Sequence, residues 1–185
     1  MGIDAYTVVV ALLSCLLMLS CVKDKHNSPV SMGSGNIYVV CEGSLGNGDG
    51  SLYVYDSKQG IASGDRYYDV NKQPLGDVFQ SMERIGDELF LCINNSDRIV
   101  VVDAATLQLR GTISVPKPRY ILKISSTKAY VSTLFSNKVY IINPQSLQVT
   151  GSIDMPYQNT EGMMLYNNKA VICTWDTATN KLDTV

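Results

Sequence analysis

The chain has 185 residues, long enough for one domain with a substantial core, and a formal net charge of −2. With no basic excess to meet a phosphate backbone, no nucleic-acid partner is expected. Tyrosine (11) far outnumbers phenylalanine (3) and tryptophan (1), and valine, isoleucine, threonine and tyrosine fill the runs between turns, a composition that favours strands.

The chain opens on an apolar run, "AYTVVVALLSCLLMLSC", from Ala5 to Cys21, followed at once by the polar "VKDKHNSP". The run is short for a spanning helix and fits the core of a signal peptide, predicting that residues 1–20 are removed. Leu17 to Cys21, "LMLSC", resembles a lipobox, the site where bacterial lipoproteins are cleaved and lipidated, here at Cys21. A rival "LLSC" ends at Cys15, but cleavage there would leave Leu16 to Ser20 apolar at the new terminus. No Lys or Arg precedes the run, and Asp4 stands where positive charge is usual. An uncleaved membrane anchor is therefore the alternative. Both readings place the folded part outside the cytoplasm. Residues 21–35 are polar, hold Gly33 and Gly35, and read as a lipidated cysteine on a flexible tether.

No stretch after residue 30 shows helical periodicity, and the rest reads as repeated strands. "LFLCINNSDRIVVVDAATLQLRGTI" begins at Leu89, and "YVSTLFSNKVYIINPQSLQVTGSI" begins at Tyr130. Ser96 and Ser136, Asp103 and Asn143, and Gly111 and Gly151 are each 40 residues apart. Upstream, Asp56 precedes Asp103 by 47 residues, and downstream Cys173 follows Ser132 by 41. A unit of about 40 residues made of short strands predicts an all-β propeller with four-stranded blades. First strands are expected near Ser81–Ile85, Tyr120–Ser125 and Met163–Tyr166. Second strands follow at Leu89–Ile93, Ala129–Thr133 and Ala170–Thr174, third strands at Ile99–Asp103 and Val139–Asn143. The fourth, Leu107–Ile113 and Leu147–Ile153, alternate apolar and polar residues, as outer strands should. Second and third strands are continuous apolar runs, suited to cover on both faces. Asp56, Asp103 and Asn143 end third strands, where their side chains can cap the turn.

Blades are expected at about 36–80, 81–119, 120–162 and 163–185, with the first lacking its first strand and the last incomplete. This is about 3.5 blades, whereas closed rings have ~4–8, so the chain reads as part of a larger ring. A four-bladed ring or two halves pairing are the alternatives.

The phrase "TKAYVSTLFSNKVYIINPQSLQVTGSI" resembles the YVTN-type repeat of YncE-like seven-bladed propellers. "CEGSLGNGDGSLYVYD", "PLGDVFQSM", "INNSDRIVVVD" and "TEGMMLYNNKAVICTW" resemble a narrower group, surface lipoproteins of gut anaerobes of the BtuG type. That resemblance implies a lipid-anchored, outer-membrane protein that captures cobalamin for a TonB-dependent transporter. It implies a chain about twice this length. The mixed "VKDKH" after Cys21 departs from the acidic export signals of such lipoproteins and leaves the periplasmic face open.

In a propeller, ligands meet the loops at one mouth. Here one mouth is formed by loops joining strands two and three together with loops entering strand one. These loops carry Phe79, Gln80, Asn94, Asn95, Arg119, Tyr120, Phe135, Tyr157, Glu161, Trp175 and Asp176. Aromatic walls with amides suit a large, flat, polar-rimmed ligand such as a corrinoid. "GNGDGS", Gly46 to Ser51, lacks the terminal carboxylate of a calcium loop and reads as a glycine-rich turn. Cys41, Cys92 and Cys173 occupy equivalent second-strand positions and read as buried free thiols. His26, the only histidine, lies in the tether, which leaves no Ser-His-Asp set and no histidine-based metal site. The expectation is a binding module without cofactor or metal. The alternatives are a lactonase- or lyase-like propeller enzyme and a structural or adhesive surface protein.

Overall fold

The computed structural model describes residues 35–176 and 181–184, with side chains up to Trp175. The expected signal sequence, Cys21, His26 and the tether up to residue 34 lie outside the described residues, as do residues 177–180. Four antiparallel sheets follow one another along the chain. The first holds β1 (Asn36–Cys41), β2 (Ser51–Asp56) and the two-residue β3 (Ile61–Ala62). The second holds β4 (Phe79–Ile85), β5 (Glu88–Ile93), β6 (Arg98–Asp103) and β7 (Leu109–Ser114). The third holds β8 (Pro118–Lys123), β9 (Ala129–Thr133), β10 (Lys138–Asn143) and β11 (Gln148–Asp154). The fourth holds β12 (Thr160–Tyr166), β13 (Lys169–Asp176) and β14 (Lys181–Thr184). Each is a meander with strands bonded in chain order.

The apolar runs explain the stacking. Side chains alternate across a strand, so a run without polar breaks must be covered on both faces. Leu89, Leu91 and Ile93 of β5, with Val100 and Val102 of β6, pack towards Leu52, Leu75 and Phe79. The intervening Phe90, Cys92, Ile99 and Val101 pack the other way, against Ile121, Ala129, Val131 and Ile142 of the third sheet. Val139, Met155 and Ile172 fill the next interface. The inner strands β4, β8 and β12 pack closely on one another, while the outer β7 and β11 touch only lightly. Sheets that converge at one edge and splay at the other are wedges around an axis, and the fold is a partial β-propeller.

The turns repeat as well as the strands. Asp56 Oδ1 accepts from the backbone N–H of Lys58 (2.8 Å) and Gln59 (3.1 Å). Asp103 does the same for Ala105 (3.0 Å) and Thr106 (2.8 Å), and Asn143 for Gln145 (2.9 Å) and Ser146 (3.3 Å). Four residues after each of these, Gly60, Leu107 and Leu147 adopt positive φ. Leu107 and Leu147, expected inside outer strands, are therefore turn residues, and the outer strands start after them.

Two further expectations are corrected. The first strands begin earlier than the apolar pattern suggests, because each starts with a bulge. The register slips between Phe79 and Ser81, between Pro118 and Ile121, and between Thr160 and Met163. A bulge disrupts strict alternation, which hid these residues. The chain also has a helix after residue 30, α1 (Arg66–Asn71). Its six residues are too few to establish a period. Asp65 caps it, accepting from the N–H of Tyr67 (3.1 Å) and Tyr68 (3.3 Å). Tyr67 is buried in the interface with the second sheet. Asn71 grips β7 and its turn, donating to the Leu107 carbonyl and accepting from Leu109 N–H, each at 2.9 Å.

Candidate functional site

One mouth of the partial ring is built by backbone bonds within and between blades. Loops joining second to third strands bond to the loops that enter the first strands. Gly50 N–H donates to the Gly76 carbonyl (3.0 Å), Asn94 N–H to Val78 (2.8 Å) and Leu134 N–H to Lys117 (2.9 Å). Asn159 N–H donates to Ser136 (2.9 Å), and Asn159 Oδ1 accepts from Phe135 N–H (2.8 Å). The residue before each inner strand, Val78, Lys117 or Asn159, has positive φ, between 41° and 59°. For a valine this is a costly conformation, held here by its surroundings. It turns the chain sharply into the bulge that opens β4, β8 and β12.

Those bulges carry Gln80, Arg119 and Glu161, 39 and 42 residues apart in the sequence. The structure joins the three in a row across three blades. Arg119 Nε donates to Glu161 Oε2 at 3.0 Å, and Arg119 Nη1 donates to Gln80 Oε1. The guanidinium also lies 5.9 Å from the centre of the Tyr120 ring. Arg119 and Glu161 side chains are 21% and 17% exposed, reachable from the mouth yet sheltered. An arginine can only donate, so the bond fixes the Gln80 amide with its oxygen towards Arg119. Among the described residues, Arg119 Nη2, Gln80 Nε2 and Glu161 Oε1 have no partner.

The backbone beneath Arg119 is held by side chains. Asn94 Nδ2 donates to the Pro118 carbonyl (3.1 Å), and Ser81 Oγ donates to the Arg119 carbonyl (2.5 Å). Ser132 Oγ accepts from Tyr120 N–H at 3.1 Å. A bulge leaves ladder groups unpaired, and these bonds satisfy them, so Arg119 is presented by a fixed backbone.

The remaining expected residues divide. Phe135 is 73% exposed and Tyr157 40% exposed, and both stand on the paired loops that lead into Glu161. Phe135 has φ of 59°, a conformation that costs a non-glycine residue. Phe79 is fully buried among Leu52, Leu75 and Leu91 and is a core residue, not a rim contact. Asn94 is buried and spent on the Pro118 carbonyl. Asn95 is spent between Asp77 Oδ2 (2.5 Å) and Lys117 Nζ (2.9 Å). Trp175 and Asp176, expected in a loop, close β13, where they pair with Leu182 and Lys181.

Three contributors escaped the sequence reading. Leu45 is 78% exposed on the first blade's mouth loop. Asp77 accepts from Gly46 N–H at 2.9 Å and 3.1 Å and anchors that loop. The Asn95 amide, opposed by partial desolvation and aided by the Gly46 and Gly48 N–H groups, holds the Asp77 carboxyl below the ordinary range. Lys117 links Asn95 to Asp97, 3.4 Å from its carboxylate. Loop length varies from blade to blade here, and the repeat gave no register for these residues.

Burial, eased slightly by Ser81, pushes the Cys92 thiol up to about 12. Cys41, Cys92 and Cys173 are free thiols, but of the three only Cys92 is buried as expected, and Cys41 and Cys173 are half-buried. Among the described residues no three metal-ligating side chains converge.

Comparison with solved structures finds the same architecture in larger proteins. Hydrazine synthase of Kuenenia stuttgartiensis aligns with a TM-score of 0.61 at 17% identity, over 73% of this chain and 39% of that one. Dihydro-heme d1 dehydrogenase NirN, in complex with DHE, aligns with a TM-score of 0.51 at 12% identity, over 80% of this chain and 35% of that one. The chain thus spans well under half the length of these structures, and at such identities the likeness is one of fold. No curated protein matches by sequence. The family described as "Domain of unknown function (DUF5074)" matches residues 35–180, nearly the whole of the described propeller, and the chain belongs to that family.

Proposed function

We propose that this protein is a non-catalytic binding propeller that captures a large, flat ligand rimmed with amides, foremost a corrinoid, at the mouth that carries Arg119. The observation that carries the reading is the row Gln80–Arg119–Glu161, which keeps unengaged donors and an acceptor at a mouth whose loops also carry the exposed rings of Phe135 and Tyr157. Exposed aromatic faces bind an apolar plane, and convergent polar groups orient its edge. Backbone bonds tie the loops of this rim to one another, and preorganisation of that kind lowers the cost of binding.

The wider reading follows the resemblance of the repeat. The chain forms part of a seven-bladed ring, is lipidated at Cys21, sits on the outer membrane and hands its ligand to a TonB-dependent transporter. Calorimetric titration of the full-length protein with cyanocobalamin tests the ligand. Saturable binding below micromolar concentration is expected, and no heat at that level removes corrinoids. Loss of lipid labelling in cells carrying Cys21→Ser tests the anchor.

A further inference from the structure

We infer that Gln80, Arg119 and Glu161 form a carboxamide-recognition row, in which Glu161 makes the site select neutral amides against carboxylates. The inference rests on the reading that this mouth binds an amide-rimmed ligand, and it names the group recognised and the residue that sets the preference.

The arrangement of charge leads to it. An arginine at a mouth ordinarily attracts anions, since its fork matches a carboxylate. Here the fork is already occupied on two sides, by Glu161 Oε2 at 3.0 Å and by Gln80 Oε1. The ion pair cancels the local charge. What remains is a pair of donors, Arg119 Nη2 and Gln80 Nε2, and one acceptor, Glu161 Oε1, all without partners among the described residues.

A primary amide offers the complement. Its carbonyl accepts from Arg119 or Gln80, and its NH2 donates to Glu161. A carboxylate brings the same acceptor but no donor, and sets a second negative charge against Glu161 Oε1. It can accept from Arg119 Nη2 or Gln80 Nε2 only with its charge beside Glu161, and to take the guanidinium as a two-pronged fork it must displace Glu161 or Gln80, leaving a sheltered polar group unpaired. A site built around hydrogen bonds rejects the analogue that cannot make them, and here repulsion adds to the rejection.

The geometry is fixed in advance. Three consecutive inner strands place the three residues at the same bulge, and Ser81 and Asn94 pin the backbone on either side of Arg119. Glu161→Gln keeps an oxygen that can accept from Arg119 Nε, removes the negative charge and turns the free acceptor into an NH2 donor.

The experiment titrates full-length protein with dicyanocobinamide, whose side chains are amides, and with the same corrin hydrolysed to its carboxylates. Wild type should bind the amide form about tenfold or more tighter. E161Q should bring the ratio to one or below, by tightening the acid and weakening the amide. Equal affinities in wild type, or an unchanged ratio in E161Q, overturn the inference while leaving corrinoid capture intact. If neither corrin binds, the ligand reading falls. Nicotinamide and nicotinate, followed through the Arg119 Nε–H and Gln80 side-chain amide resonances, then decide the inference alone. Shifts with the amide and not the acid sustain it, and shifts with both or with neither overturn it.

Discussion

The first and second blades begin from similar sequence and finish differently. In the second, β5 and β6 are buried on both faces and a six-residue β7 closes the outside. In the first, β2 is followed by only two residues of outer strand, and α1 then turns back onto the neighbouring blade. Ile37 and Val39 of β1 are each 41% exposed, while Tyr38 and Val40 of the same strand face the second blade. The difference teaches which strands specify the fold. Outer strands bury little, as the mostly exposed β7 and β11 show, so one can be exchanged for a helix. The middle strands, covered on both sides, cannot.

The contrast can be broken most directly at its centre. Phe90→Ala removes a fully buried ring between the second and third blades and should cost about 3–5 kcal/mol. Val39→Ala, on the open face of β1, should cost less than about 1 kcal/mol. Urea unfolding of both variants measures the gap, and equal costs would show that the outer face of the first blade is covered.

The helix that replaces an outer strand comes next. Asp65 Oδ1 caps α1 and also accepts from Leu52 N–H at 3.3 Å, joining helix to strand. Asp65→Ala should lower stability by about 1–2 kcal/mol, with proteolysis near residues 62–72 rising in step. A variant as stable as wild type would mean that Tyr67 and Asn71 dock the helix unaided.

A smaller effect separates the turns of the second and third blades. Asp103 is held well below the ordinary carboxylate range, first by Arg110 (2.7 Å) and then by Thr106. A carboxyl lowered in the folded state stabilises above the unfolded value of ~4 and ceases to do so as pH falls through the folded one. Wild type should therefore lose more stability between pH 6 and pH 3 than Asp103→Asn, which installs the residue that Asn143 already provides in the next blade. Parallel melting curves for the two proteins would refute the Arg110 contribution.

The smallest change in stability is expected at the rim. Phe135→Gly relieves a positive φ and exposes no new core, so its melting should stay within about 1 kcal/mol of wild type. Affinity for the proposed corrinoid should nevertheless fall severalfold. Calorimetry beside thermal unfolding separates the two readouts.

Much of this was legible in the residues. Spacing of Asp103 and Asn143, and the runs "LFLCI" and "IVVV", located the middle strands, because burial on both faces leaves an unbroken apolar signature. The helix was not legible, since six residues complete less than two turns. At the mouth, Gln80, Arg119 and Glu161 could be picked by their place before each inner strand, but their mutual bonding depends on bulges that pattern does not reveal. Phe79 and Asn94 were misplaced for the opposite reason. A residue at the lip of a strand can turn inward, and its type alone does not say which way it faces.

The turns on the opposite side of the ring have a practical use. Asn167 and Asn168 link β12 to β13 through two consecutive positive-φ residues, exposed and at the opposite end of the strands from the bonded rim. A short epitope spliced between them would leave the mouth that carries Arg119 untouched. Antibody access to it on intact cells would then test the proposed display of the toroid at the cell surface.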